Sequence, residues 1–221
     1  MEIEAKFLVP DEPTFALLQE VRALGPYEVR DTRTKSVRDR YLDTADYRFY
    51  NRNLFVRLRE VASGLVLTIK GAGSGVSEGS IHTRDEYETE VPSLDVRTWP
   101  RGDVRRIVEE TAQGKPLHDL FTLDQTRTIS NLYEGQRAVA ELSLDDVTIH
   151  TASGPLRGYE LEIELLPEGL LDHLRVLSRL LTGEYGLLPQ PKSKFERAMR
   201  LQVDDGRWTM DDGRWTMRTE D

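Results

Sequence analysis

The 221-residue sequence has no cysteine. That excludes a disulfide framework and any thiolate metal site, and it suits a reducing compartment. No apolar run approaches the roughly 20 residues a membrane-spanning helix needs, so no membrane partner is expected. A basic excess is also lacking. The net charge of −9 argues against a nucleic-acid partner, but bulk charge leaves room for a local basic pocket. The opening MEIEAKFLV has no basic stretch followed by an apolar one, so it does not read as a secretory leader. The expectation is an unprocessed cytoplasmic protein. Histidines are few: His82, His118, His150 and His173 stand at unrelated spacings, read as surface or loop residues, and offer no zinc cluster.

What is present in quantity is charge. Charged residues make up 31% of the chain and hydrophobic ones 38%; aromatic and β-branched residues recur throughout, so the chain is a folded one with a real core. At least six segments alternate with a period of two and read as strands. In residues 2–9, Glu2, Glu4 and Lys6 oppose Ile3, Ala5, Phe7 and Val9. In 54–60, Arg57 and Arg59 oppose Val56 and Leu58. In 65–70, Lys70 opposes Leu67 and Ile69. Arg84, Glu86, Glu88 and Glu90 share a face, as do Glu141, Ser143 and Asp145, and Glu160, Glu162 and Glu164. Residues 27–43 read as two strands, with a turn at Asp43–Asp46. Helical spacing marks a helix running from Pro10-Asp11 to Gly25-Pro26, and others over 103–114, 168–183 and 193–202. The Gly/Ser-rich stretch 71–80 reads as a mobile loop. Residues 204–210, DDGRWTM, recur at 211–217; with no apolar face, residues 203–221 read as a disordered appendage to a single domain over 1–202.

In an ordinary half-buried sheet such charged faces point to solvent. Here the charges are sorted by strand, whereas a surface selected for solubility mixes signs. Grouped carboxylates suit a hard divalent ion such as Mg²⁺, and grouped arginines and lysines suit phosphate oxygens. If the charged faces point inward, the sheet closes into a wet barrel and the helices cover its apolar exterior.

ExExK at Glu2-Ile3-Glu4-Ala5-Lys6, RYLDT at 40–44, FVRLRE at 55–60, LTIKG at 67–71, RDEYE at 84–88, LDDV at 144–147, LEIE at 161–164 and SKFERA at 193–198 together resemble the CYTH family, the triphosphate tunnel metalloenzymes. The resemblance covers about residues 1–202. It implies an α+β fold: an eight-stranded antiparallel β-barrel tunnel with helices packed outside. It implies Mg²⁺ or Mn²⁺ held by Glu2, Glu4, Glu162 and Glu164 with Asp145 nearby. Lys6, Arg57, Arg59, Lys70, Arg84, Arg127 and Lys194 would line the triphosphate path. Arg57, Arg59 and Arg84 would stabilise charge on the transferred group, and Lys6 or Lys70 would orient the phosphate or accept a proton. The implied activity is hydrolysis of a small-molecule triphosphate, inorganic triphosphate foremost. The alternatives are a non-catalytic polyphosphate- or nucleotide-binding module, an adenylyl cyclase, and a thiamine triphosphatase with an aromatic platform drawn from Tyr47, Phe49, Tyr50 and Trp99. Homodimerisation stays open. Glu90 and Glu160 are placed at the rims, Tyr41 and Tyr159 in packing roles, and Lys192 at a helix start on the surface.

Overall fold

The computed structural model describes residues 2–61, 64–71, 81–151, 154–202, 208–211 and 214–217. Most of residues 71–80, the expected loop, lie outside the described residues. The strands are β1 (Glu2–Val9), β2 (Ala23–Leu24), β3 (Tyr27–Asp43), β4 (Leu54–Val61), β5 (Gly64–Gly71), β6 (Ile81–Arg84), β7 (Glu86–Val91), β8 (His118–Glu134), β9 (Arg137–Thr151), β10 (Gly154–Leu165), β11 (Leu188–Pro189), β12 (Trp208–Asp211) and β13 (Arg214–Met217). The helices are α1 (Glu12–Gln19), α2 (Asp103–Ala112), α3 (Leu171–Gly183) and α4 (Lys194–Gln202).

One antiparallel sheet of eleven segments runs β11-β1-β10-β9-β8-β3-β4-β5-β7, with β6 on β1 and β2 on β3. Only Asp85 separates β6 from β7. The segment 81–91 therefore pairs with β1 at one end and with β5 at the other, and the sheet closes on itself. Around the ring stand β1, β10, β9, β8, β3, β4, β5 and the β6–β7 strand, which are the eight strands expected; the further segments are short additions and the split at Asp85.

The apolar faces point outward and are covered. Phe7, Leu142, Leu144, Leu161 and Ile163 pack against Phe15 and Leu18 of α1 and Leu174, Leu177 and Leu181 of α3. On the opposite side Val56, Leu58, Leu67 and Ile69 pack under Val104, Val108 and Ala112 of α2. The outer face of β3, β8 and β9, with the start of β10, instead carries exposed ion pairs such as Arg38–Asp124 and Arg157–Asp146, which can face water without a helix.

Residues 27–43 form one strand, not two. Between Arg30 and Arg33 the register with β8 shifts, Asp31 takes a positive φ of 56°, and its carboxylate accepts from Asn131 and Tyr133. The bulge breaks the alternation without ending the pairing. The first helix is also shorter than its spacing suggests: it stops at Gln19, and Ala23–Leu24 turn back onto β3. In α2, Gln113 adopts the left-handed conformation and ends the helix. The two DDGRWTM copies meet as an antiparallel hairpin, β12 on β13, in a sheet separate from the barrel.

Candidate functional site

Alternation places the charged faces inside. Glu4 and Lys6 of β1, Arg57 and Arg59 of β4, Lys70 of β5, Gln125 and Arg127 of β8, Glu141 and Ser143 of β9, and Glu162 and Glu164 of β10 line one cavity. Asp39 and Tyr41 of β3 and Ser193 and Lys194 at the start of α4 complete it. Side chains fill most of the lumen, and about 90 Å³ of open cavity remains between them.

The lumen is a lattice of opposed charges. Arg59 donates from Nε and Nη2 to the two oxygens of Asp39, both at 2.7 Å. Arg127 grips Asp145 in the same forked way at 2.7 and 2.6 Å, and also reaches Glu162 at 2.7 Å. Lys194 lies 3.0 Å from Asp145, 2.7 Å from Glu162 and 3.1 Å from Glu160. Lys6 pairs with Glu4 at 2.7 Å and Lys70 with Glu86 at 2.8 Å. Arg57 donates to Thr68 Oγ1 at 3.0 Å, and that hydroxyl donates to Glu88 at 3.0 Å. Arg57 Nε is buried with no hydrogen-bond partner among the described residues. An unused guanidinium N–H in a cationic lumen is a donor that a phosphate oxygen can satisfy.

Burial and charge oppose each other throughout. Burial alone would raise the Asp39 carboxyl, but the Arg59 hydrogen bonds and the charges of Arg57, Arg59 and Arg127 outweigh it and hold it below its ordinary value. Burial likewise works against the charged form of Glu162, and Lys194, Arg127 and Lys6 hold it well below the usual carboxylate range. For Lys194, burial is outweighed by Glu162 and Asp145, so its ammonium form is favoured. Burial and the nearby Asp39 charge raise the Tyr41 phenol.

One end of the lumen is stoppered. Phe55, Phe121, Leu123, Val147 and Ile149 face inward there and pack on Phe195, Ala198 and Met199 of α4. Phe195 stacks on Phe55 with ring centroids 4.2 Å apart. Ser193 fixes the start of α4. Its Oγ accepts from Glu196 N at 3.2 Å, while the Glu196 carboxylate accepts from Ser193 N at 2.7 Å. This reciprocal cap aims the next residue, Lys194, into the lumen.

Of the residues expected to form the site, Glu4, Lys6, Arg57, Arg59, Lys70, Arg127, Glu162, Glu164 and Lys194 line the one cavity. Asp145 is fully buried beside it, its oxygens taken by Arg127 and Lys194. Glu2 and Arg84 are register partners across β1 and β6, and their side chains lie outside the described residues. Glu160 is no rim residue: it is buried, bound to Lys194 and Arg197. Glu90 is exposed. His173 is buried as well, its Nδ1 accepting from Leu170 N at the start of α3. The four aromatic residues offered as a ligand platform are taken up in packing: Phe49 and Trp99 under α2, Tyr47 in the stopper cluster, and Tyr50 against Phe195. Tyr41 packs on Phe121 at 4.8 Å and also lines the cavity.

Asp39 was not anticipated. Reading β3 as two strands hid the alternation that sets Asp39 and Tyr41 on the inner face. Within 35–41, every second residue would have shown it.

The donor chemistry of the lumen suits a hard divalent ion in type, because among the described residues every acid is a carboxylate and no histidine lines the cavity. Glu4 and Glu164 are register partners on neighbouring strands, which makes them the place where carboxylates from two strands meet. Among the described residues no group of three or more His, Cys, Asp or Glu side chains is gathered as an ion would require.

A closed antiparallel barrel with a sorted, charged lumen, covered by helices and stoppered by a C-terminal helix, defines a tunnel protein. The chain belongs to the CYTH domain family, which it matches over residues 1–199. No curated protein matches it. Among solved structures it is similar to a candidate adenylyl cyclase from Hippeastrum described as having a dominant triphosphatase activity. The two share 21% identity and a TM-score of 0.68, over 90% of this chain and 96% of that one. It is also similar to a candidate adenylate cyclase from Bacillus halodurans, at 22% identity and a TM-score of 0.55 over 89% and 96% of the two chains. A third likeness is to a candidate adenylate cyclase from Vibrio parahaemolyticus, at 14% identity and a TM-score of 0.50 over 90% and 97%. These likenesses concern the fold.

Proposed function

We propose that the protein hydrolyses a triphosphate, inorganic triphosphate foremost, inside the tunnel with Mg²⁺ or Mn²⁺. The observation that carries this reading is the convergence of Lys6, Arg57, Arg59, Lys70, Arg127 and Lys194 on one lumen that also holds Glu4, Glu162 and Glu164. Six cations, five from strands and one from the start of α4, suit a ligand with several anionic groups in a row. The Hippeastrum structure, with its dominant triphosphatase activity, supports the same reading.

Phosphoryl transfer asks mainly for positioning and charge neutralisation. Arg57 offers its unused Nε to a phosphate oxygen. Arg59 and Arg127, oriented by Asp39 and Asp145, present their remaining N–H groups to the chain. Lys6 and Lys70 exchange their carboxylate partners for phosphate oxygens and orient the transferred group, with Arg84 contributing from β6. Lys194 receives the inner end. A divalent ion held at Glu4 and Glu164, with Glu2 and Glu162 adjoining, would neutralise phosphate charge and activate the attacking water. Asp145 serves this reading as the residue that orients Arg127 and Lys194, since its two oxygens accept from both.

The test is phosphate release from inorganic triphosphate with Mg²⁺, with Mn²⁺ and with a chelator, and with ATP in parallel. Metal-dependent release from triphosphate is the expected result. Cyclic AMP with pyrophosphate from ATP would replace it with a cyclase. Binding of triphosphate without turnover would make the tunnel a binding module.

A further inference from the structure

The inner face of β3 continues past Asp39 towards the open end of the tunnel. The alternation that sets Tyr41 and Asp39 on the cavity carries on through Val37 to Lys35 and Arg33. Lys35 is the register partner of Arg127 across β3 and β8. Arg33 reaches across the mouth to Glu141 Oε2 at 3.1 Å, and Glu141 lines the cavity.

The cations around Lys35 are all compensated. Arg59 holds Asp39, Arg127 holds Asp145 and Glu162, and Arg33 holds Glu141. Lys35 takes part in no ion pair among the described residues. Partial burial lowers its pKa, and the positive charges of Arg59, Arg127 and Arg33 lower it further against the opposing pull of Glu141. The Lys35 ammonium therefore sits in a setting that opposes its charge, which an incoming anion relieves.

The stopper under α4 decides which part of a ligand meets this charge. With the far end filled by Phe195 and its neighbours, a triphosphate enters with one end towards Lys194 and leaves the other at the mouth. In inorganic triphosphate that outer end is a phosphate. In a nucleotide the group at that depth is the α-phosphate, which is esterified to an uncharged sugar and carries less charge than a terminal phosphate.

We propose that Lys35 is a specificity-determining residue that binds the outer phosphate of the ligand and favours a terminal phosphate there over one esterified to an organic group. The assignment rests on the triphosphatase reading for its substrate. It adds which end of that substrate is discriminated, and by what. Selection follows from a difference of affinities: the ammonium gains a stronger charge-assisted contact with a terminal phosphate than with an esterified, less charged α-phosphate. Being near the surface, the contact weakens as salt rises.

The experiment compares kcat/KM for inorganic triphosphate and for ATP at low salt in the wild type, Lys35→Gln and Lys35→Arg. Lys35 is exposed, so neither change disturbs the core. Lys35→Gln is expected to lower kcat/KM for triphosphate about tenfold, through KM, against about twofold for ATP. Lys35→Arg is expected to keep the wild-type ratio, and 0.5 M salt to shrink the difference. An unchanged ratio in Lys35→Gln overturns the proposal, as does an equal loss on both substrates. If the wild type turns over neither compound, the triphosphatase reading fails on its own. The same ratio is then read from calorimetric Kd values for inorganic triphosphate and ATP, with the same two outcomes deciding Lys35.

Discussion

Asp39 and Arg59 are register partners across β3 and β4, and their side chains meet through two parallel hydrogen bonds of 2.7 Å. The carboxylate is only 3% exposed and the guanidinium 17%. A fork bound in this way has one fixed orientation, and its remaining N–H groups are aimed rather than mobile. Replacing Asp39 with Asn leaves a buried cation half paired. The expected cost is about 2–4 kcal/mol in urea unfolding, the lower part of the range for broken buried pairs because Arg59 keeps some solvent. In the Arg59→Gln background the same change should cost much less, since the two residues act as one unit. Equal costs in both backgrounds would show that Asp39 does not act through Arg59.

Glu4 tests the metal half of the proposed site. Glu4→Gln keeps the size and hydrogen-bonding reach of the side chain and removes its charge. Metal-dependent phosphate release is expected to fall about a hundredfold or more, with the fold retained by circular dichroism. Full activity in this variant would remove Glu4 from the ion's ligands.

Acid should act on the lumen in a defined window. Asp39 and Glu162 have folded-state pKa values below their ordinary values of 3.8 and 4.5. Their contribution is thus complete above those ordinary values and is lost as pH falls through the lowered ones. Lys194 is shifted the other way, so its contribution persists below its ordinary value of 10.5 and fades only at higher pH. The melting temperature should therefore be flat through neutrality and drop below about pH 4. Asp39→Asn should make that acid drop shallower. A steeper drop would contradict the lowered pKa of Asp39.

Phe195 joins the α4 stopper to the barrel through Phe55, Phe121 and Tyr41. Phe195→Ala should destabilise by about 3–5 kcal/mol, because the rigid strands around it cannot collapse into the space. The expected readout is a lower urea midpoint with an unchanged slope.

The tail gives a fourth kind of test. The β12–β13 hairpin lies in a sheet of its own. Truncation after Gln202 is expected to leave the melting temperature and the activity within error of the full chain. A loss of either would make the repeat part of the working domain.

Much of this was legible in the residues, for identifiable reasons. The six alternating faces were correct because a two-residue period is the strand's own geometry and holds wherever no bulge interrupts it. Which side faced inward could not be read from one strand, since Glu4 on a lumen and Glu4 on a surface look alike; sorting by sign across strands decided it. The β3 bulge at Asp31 interrupts the alternation, so Asp39 and Lys35 stayed hidden behind a false break. Glu160 was placed at a rim because its partners, Lys194 and Arg197, lie on a helix more than thirty residues away. His173 looked superficial because its role is a single backbone contact, Leu170 N to Nδ1. Charge pairs between distant segments leave no local trace, and this lumen is built of them.

Closure of the ring through residues 81–91 also dictates an order of assembly. One flank of β1 needs β10, and the other needs β6 together with β11. β1 is thus enclosed only when strands far along the chain have arrived, and its edges stay open until then. Pairings of such long sequence separation form slowly. Newly made protein is expected to be most prone to stick to itself during that interval.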